Sequence, residues 1–411
     1  MTAALSGARA FHYHDFTCYW SSRFVSATAT QIQGVAVGWW VYDLTRDPLA
    51  LGLVGLAIFL PAMGLALLAG HVADRFDRRA ILLICYAMAA LTAAGLLGCA
   101  WSGVRQVGPI YALVLIFGVT RAFANPASQA IVPNLVPAEH LGNAIAWHAL
   151  AWQTATIVGP ALGGLLYAFG APVAFAAVTL SFALTFSLLA RVRHRLVQRA
   201  HEPLRWASLL AGLHFIRSQP VVFGAITLDL FAVLLGGATA LLPIYARDIL
   251  QVGPWGLGLL RSMPAVGAVL MALWLTRRPL QHHTGRYLFQ SVALFGLATI
   301  VFGLSTHLWL SLACLFVLGA ADMISVFVRQ TLVQIETPDP MRGRVAAVNT
   351  VFIGASNELG EFESGILAAL IGTVPAVVVG GIGTLAVVAL WRRWFPALRD
   401  RDQLFARNPV A

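Results

Sequence analysis

Gly70-His71-Val72-Ala73-Asp74-Arg75-Phe76-Asp77-Arg78-Arg79 is a charged stretch set between two long apolar runs, residues 49–70 and 80–101. Each run is long enough to cross a bilayer core of about 30 Å, which takes about 20 helical residues. Backbone polar groups cannot stay unpaired in lipid, so such runs are expected to be helices. The stretch reads as a short loop, and its arginines, Arg75, Arg78 and Arg79, place that loop on the cytoplasmic side. This one assignment orients every other crossing.

Composition agrees. Hydrophobic residues make up 59% of the 411 and charged residues 11%, against roughly 25% charged in a soluble domain. The apolar runs are apolar all round rather than alternating, which points to helices and not to a β-barrel. The net charge of +10 comes from arginine alone, since the chain has no lysine. The arginines cluster at one set of span ends, as membrane orientation demands and nucleic-acid binding does not. The N-terminus leads through Arg9 into a full-length span, with no cleavable signal visible. Cys18, Cys85, Cys99 and Cys314 lie in or at apolar runs without paired spacing, and read as small hydrophobes rather than a disulfide frame or metal site.

Taken in order, the spans fall at about 15–41, 49–71, 80–101, 107–131, 142–168 and 171–190, then at about 220–246, 254–275, 286–305, 308–334, 344–369 and 373–394. Residues 191–219 form a basic linker holding Arg191, Arg193, Arg195, Arg199, Arg205 and Arg217, with an interfacial helix expected around Leu204–Phe215. Residues 395–411 form a polar, basic tail. The chain thus divides into a first half (1–190), the linker, a second half (220–394) and the tail. An even number of crossings and the arginine asymmetry of the loops put both termini in the cytoplasm.

The halves repeat one another. A shift of 203 sets Gly34 on Gly237, Tyr42 on Tyr245, Gly55 on Gly258, Pro61 on Pro264 and Gly64 on Gly267. A shift of 201 sets Gly118 on Gly319, Gln129 on Gln330, Pro137 on Pro338, Gly159 on Gly360 and Gly164 on Gly365. Coincidence of prolines, glutamines and glycines at nearly one offset implies an all-α membrane protein of twelve transmembrane helices, built as two pseudo-symmetric six-helix halves.

The pattern Gly70-x-x-x-Asp74-Arg75-x-x-Arg78-Arg79 resembles the signature loop of the major facilitator superfamily, with Asp77 where a glycine is usual. Gly159-Pro160-Ala161-Leu162-Gly163-Gly164 resembles the glycine–proline signature of facilitator antiporters, with Ala155 at the usual leading glycine. The physical content of that string is close backbone approach between helices and a bend at proline. Arg121 occupies the place of the intramembrane arginine of proton-coupled antiporters. The stretch from Gly118 to Gly164, with Arg342–Glu361 in the second half, resembles the bacterial exporter branch that includes the enterobactin and macrolide exporters. The resemblance implies a secondary transporter in a bacterial inner membrane, working by alternating access and proton antiport on a siderophore-like, amphipathic or aromatic compound, as a monomer and without cofactor or metal. Multidrug or macrolide efflux, a proton-coupled importer of the same fold and a non-transporting receptor are the alternatives.

Charges at membrane depth are functional candidates because lipid penalises them. Arg23, Arg121, Asp229 and Asp322 are expected to form one charged centre of balanced sign for proton coupling, with Glu358 and Glu361 as a further relay. Arg329, Asn349, Asn357 and Trp152 are expected to line the substrate cavity. Arg329 lies on the face of Asp322, two helical turns on, and could pair with an acid or hold an anionic substrate. Gly70, Asp74, Arg75, Arg78 and Arg79 are expected to form a cytoplasmic gate, with Asp74 facing the start of the eleventh span near Gly343 and Arg344, where the helix dipole and the arginine favour a carboxylate. No phosphate-cradling loop, metal-spaced cluster or nucleophile triad is present, so neither ATP coupling nor catalysis is supported.

Overall fold

The computed structural model describes residues 9–193, 206–278, 280 and 282–402. Arg195, Arg199, Arg205 and Arg407 lie outside the described residues. The helices are α1 (His14–Thr45), α2 (Pro48–Gly64), α3 (Ala66–Arg75), α4 (Arg78–Trp101), α5 (Gly108–Ile131), α6 (Leu141–Ala168), α7 (Ala171–Ala190), α8 (Trp206–Ser218), α9 (Pro220–Leu235), the single turn α10 (Leu242–Ile244), α11 (Gly253–Arg277), α12 (Thr284–Leu304), α13 (Leu308–Glu336), α14 (Asp339–Ile371), α15 (Thr373–Trp394) and the short α16 (Pro396–Arg399). By length and apolarity alone, nine described helical stretches suffice to cross a membrane. Three more fall short on those measures for visible reasons. Charges sit inside α1 and α14, and a break divides α2 from α3. The whole is consistent with twelve crossings.

That break corrects the expected second span and loop. Pro61 and Gly64 weaken the helix. Leu65 takes φ −101°, ψ 0°, and its N–H reaches back to the Pro61 carbonyl at 2.9 Å. The chain then resumes as α3 through Gly70, Asp74 and Arg75, so the charged stretch is mostly helix. Only Phe76 and Asp77 separate α3 from α4. Asp77 is extended, and its carboxylate accepts the Arg79 N–H, an N-cap for α4. The aspartate that replaces the usual glycine therefore starts the next helix.

Two compact units make up the chain. The first comprises Met1–Arg46, Leu56–Leu204 and Val252–Ser262; the second comprises Asp47–Gly55, Arg205–Gln251 and Met263–Ala411. Each unit thus contains the first turns of a span from the other sequence half. In the first unit α1 packs on α6 and α7, and α4 packs on α5 and α7. Its core holds Phe16, Tyr19, Phe117, Val178 and Phe182. In the second unit α12 packs on α13 and α15, and α9 packs on α13, α14 and α15 around Leu228, Leu288, Val328, Leu332 and Trp391. Ile84, Leu91 and Leu180 stand on the outside, where lipid covers them.

Helix α8 is not a free interfacial helix. Ile216 joins Val222, Val345 and Val348 in one buried cluster. A Cβ added at Gly212 would come within 2.8 Å of the Arg344 carbonyl oxygen. The linker helix therefore docks on the first turns of α14, because Gly212 lets the two backbones approach.

Candidate functional site

The second unit holds a buried ion-pair network. Asp229 on α9 faces Arg329 on α13, with Oδ2 to Nη2 at 3.1 Å. Ser325 Oγ donates to Asp229 Oδ1 at 3.4 Å, and Arg329 Nη1 donates to Asn349 Oδ1 on α14 at 3.0 Å. Arg329 is 2% exposed, and its Nε is buried without a hydrogen-bond partner. Asp229 and the half-buried Asp322 line one small cavity with Ser325, Val292 and Phe295. Asp322, Ser325 and Arg329 lie on one face of α13, since spacings of three, four and seven share a helical face.

The first unit holds a different cavity. Arg23 and Thr30 of α1, Tyr86 of α4, Thr120, Arg121 and Asn125 of α5, Trp152 of α6 and Phe182 of α7 are among its lining residues. The Arg23 guanidinium lies 5.1 Å from the centroid of the Trp152 ring, and its Nε is buried without a hydrogen-bond partner. Beside it, Tyr19 donates to the Ser128 carbonyl at 2.6 Å and stacks on His148 at 5.9 Å. His148 is thereby a packed neighbour of the buried tyrosine.

Of the four charged residues expected from the sequence to form one centre, each unit holds two. Asp229 and Asp322 share a cavity with each other, and Arg23 and Arg121 share another. The guanidinium at Asp229 is Arg329, two turns from Asp322 on the same helix, whereas that of Arg23 is turned onto Trp152. Ser325 went unnoticed in the sequence, although its place between Asp322 and Arg329 on one face was a usable signal. Asn357 is exposed and donates to the Ile353 carbonyl of its own helix at 2.9 Å. Glu361 lies against the start of α2, its Oε2 at 2.9 Å from the position of a Cβ on Gly55; Glu358 is half-buried one turn away on α14.

The hinge arginines brace the first unit. Arg78 Nη1 donates to the Ala130 carbonyl at 2.7 Å near the end of α5, and Arg79 Nη2 donates to the Ala190 carbonyl at 2.8 Å at the end of α7. Both cations sit where helix dipoles leave negative charge. Arg75 is exposed, and the side chain of Asp74 lies outside the described residues, so its expected position near Gly343 and Arg344 does too. Arg78→Ala is expected to destabilise the protein by about 1.5–3 kcal/mol, the range for a hydrogen bond to a charged group, and Arg79→Ala, whose bond to Ala190 is the more exposed, by less. Denaturant titration of both variants in detergent checks the order.

The glycine–proline string is a seam with two faces. Cβ atoms at Gly159 and Gly163 would meet α1, at Gln31 Cβ (2.5 Å) and Ile32 Cα (3.0 Å). Gly164 instead meets Pro254 and Gly258 at the start of α11, and a Cβ on Gly258 would lie 2.6 Å from the Pro160 carbonyl oxygen. The repeat partner of Gly164 shows the related contact: a Cβ on Gly365 would lie 2.8 Å from Gly52 Cα of α2, in the second unit.

Comparison with known proteins follows the same lines. The family model described as "Transmembrane secretion effector" matches residues 6–409. Enterobactin exporter EntS of Shigella boydii serotype 4 is 29% identical over 387 residues, 91% of this chain and 90% of the relative. EntS of Escherichia coli O1:K1 is 29% identical over 388 residues with the same coverage. Among solved structures, a bacterial homolog of the human lysosomal transporter Spinster superposes with a TM-score of 0.72 at 14% identity, covering 96% of this chain and 99% of that one. A bacterial homologue of the iron transporter ferroportin gives 0.69 at 17% identity, covering 94% and 99%. The solved structures establish the fold, and the family model with the curated relatives marks a multi-pass membrane transporter. The chain belongs to the transmembrane secretion effector family of the major facilitator superfamily.

Proposed function

We propose that this protein exports a small amphipathic or aromatic compound of the siderophore class from the cytoplasm of a bacterium, across the inner membrane, in exchange for protons. It works as a monomer by alternating access, with both termini cytoplasmic. The observation that carries the coupling is the pair of carboxyl groups, Asp229 and Asp322, on one cavity, with the buried guanidinium of Arg329 paired to Asp229. One positive charge balances one carboxylate. The other carboxyl group either holds a proton or stands as a bare charge in a medium that penalises it. A proton arriving or leaving there changes the charge of the cavity by one, which suits exchange of a proton for substrate. Similarity to enterobactin exporters supports the direction and the substrate class. The hinge around Gly70, Asp74 and Arg75, braced by Arg78 and Arg79, marks the cytoplasmic edge and is assigned to the gate on that side. Glu358 and Glu361 are assigned to a further relay.

Inside-out vesicles under an imposed pH gradient test this. A catechol siderophore is expected to accumulate only with the gradient, and Asp322→Asn to lower the initial rate at least about tenfold, as expected for loss of a proton-carrying group. Asp322→Asn keeps the polar shape of the site, so expression and monodispersity are expected to stay near wild type. Accumulation of a cationic dye in place of the siderophore would assign drug efflux, and gradient-driven movement in the opposite sense would assign import. Uptake that ignores the gradient would sink the coupling.

A further inference from the structure

We propose that the first-unit cavity is the subsite for an anionic aromatic group of the exported compound, its ring against Trp152 and its carboxylate or phenolate held by Arg23 and Arg121. This rests on the export reading and adds which half recognises what. Three observations on one cavity carry it. Two guanidiniums line it, and none of its lining residues is an aspartate or glutamate. Like charges that share a low-dielectric cavity repel unless an anion joins them. The Arg23 Nε, moreover, is buried with no hydrogen-bond partner. A buried donor left unmade carries the desolvation penalty of its group, and an acceptor brought by a ligand removes it. Finally, Arg23 lies over the Trp152 ring, which is 38% exposed. A partly open indole with a cation on it is suited to a second ring that bears a negative charge.

The other cavity makes the contrast. There Arg329 already faces Asp229 at 3.1 Å, so its charge is met from within the protein. The two units therefore divide the work. The first offers positive charge and an aromatic surface to the cargo, and the second holds the carboxyl groups that exchange protons. Thr30, Thr120 and Tyr86 line the same cavity; the two threonine hydroxyls donate to their own helices, at Ser26 and Phe117, and are left as acceptors for a phenolic O–H.

Calorimetric binding to the purified protein in detergent, with no pH gradient, tests the subsite. The probes are salicylate, its neutral isostere salicylamide, and acetate, an anion with no ring. Wild type is expected to prefer salicylate to both by at least about tenfold, the scale of a charge-assisted contact. Arg23→Gln and Arg121→Gln should each bring salicylate down to the level of salicylamide, leaving salicylamide binding unchanged. Arg121→Lys should restore part of the preference, and Trp152→Leu should weaken both aromatic probes. Equal wild-type affinity for salicylate and salicylamide would overturn the proposal, as would arginine variants that lose both in parallel, or acetate binding as tightly as salicylate. Because binding is read without a gradient, failure of antiport leaves this result standing. Conversely, gradient-driven export of neutral compounds only, with salicylate unbound, would leave export standing and remove the subsite.

Discussion

Asp229→Ala is expected to lower stability by about 3–5 kcal/mol, the range for breaking a buried ion pair by removing one partner. The cause is what remains. Arg329 is 2% exposed, with one hydrogen bond to Asn349 and an Nε that already has no acceptor. Without Asp229 it loses its paired carboxylate, leaving only Asp322 as a neighbouring acid on its own helix, and α13 cannot turn it into water without unpacking Val328 and Leu332 from the core. Arg329→Met fails for the mirror reason, leaving Asp229 with only the weak donor Ser325. The double variant Asp229→Leu with Arg329→Met removes both charges and is expected to recover stability to wild type or above, since well-packed apolar replacements of buried pairs are often neutral or stabilising. It should nonetheless transport nothing under a pH gradient. Denaturant titration of the three variants, beside the vesicle assay, reads stability and coupling separately. Single variants as stable as wild type would show that water reaches the pair, and a double variant that still exports would place the coupling elsewhere.

Gly164→Val is expected to have the second large effect. Its side chain would enter the backbone of α11 at Pro254 and Gly258, neither of which can retreat as a flexible side chain does. Helix pairs in lipid are held by close packing and not by the hydrophobic effect, so prying this pair apart removes most of its attraction. A loss of several kcal/mol follows, of the order seen for overpacked cores, together with transport below a tenth of wild type. Gly142→Ala on the same helix is the control. Nothing lies within 4 Å of its Cβ position, and Gly142 is the second residue of α6, so alanine there is expected to be neutral or slightly stabilising. Equal behaviour of the two variants in thermal unfolding and export would mean that the seam opens freely.

Span ends are legible in this chain where the backbone itself demands a residue type. Gly170 and Gly372 take φ of 117° and 91°, which excludes most side chains, and α7 and α15 begin directly after them. The internal repeat is legible for a related reason: glycines such as Gly164 and Gly365 touch another backbone and tolerate nothing larger. The hinge is less so. Its charges read as a loop, but a cytoplasmic helix end carries the same charges, and only the Asp77 cap shows where α3 stops. The charged site is half legible. Intramembrane acids and arginines stand out because lipid penalises them. Their pairing does not, because repeat symmetry relates residues without saying which side chains touch, while Asp229 finds Arg329 through the packing of α9 on α13. Nothing in the spacing of Arg23 and Trp152 announces that one lies on the other.

The reciprocal exchange of span ends, Asp47–Gly55 in one direction and Val252–Ser262 in the other, bears on what either half can do alone. These two pieces occupy equivalent places in the repeat, each being the opening of the second helix of its half. A protein of half this length would leave that opening without the unit that completes it. Half-chains severed between Arg193 and Trp206 are accordingly expected to be less stable apart than when expressed together, which thermal unfolding of each fragment and of the mixture would read.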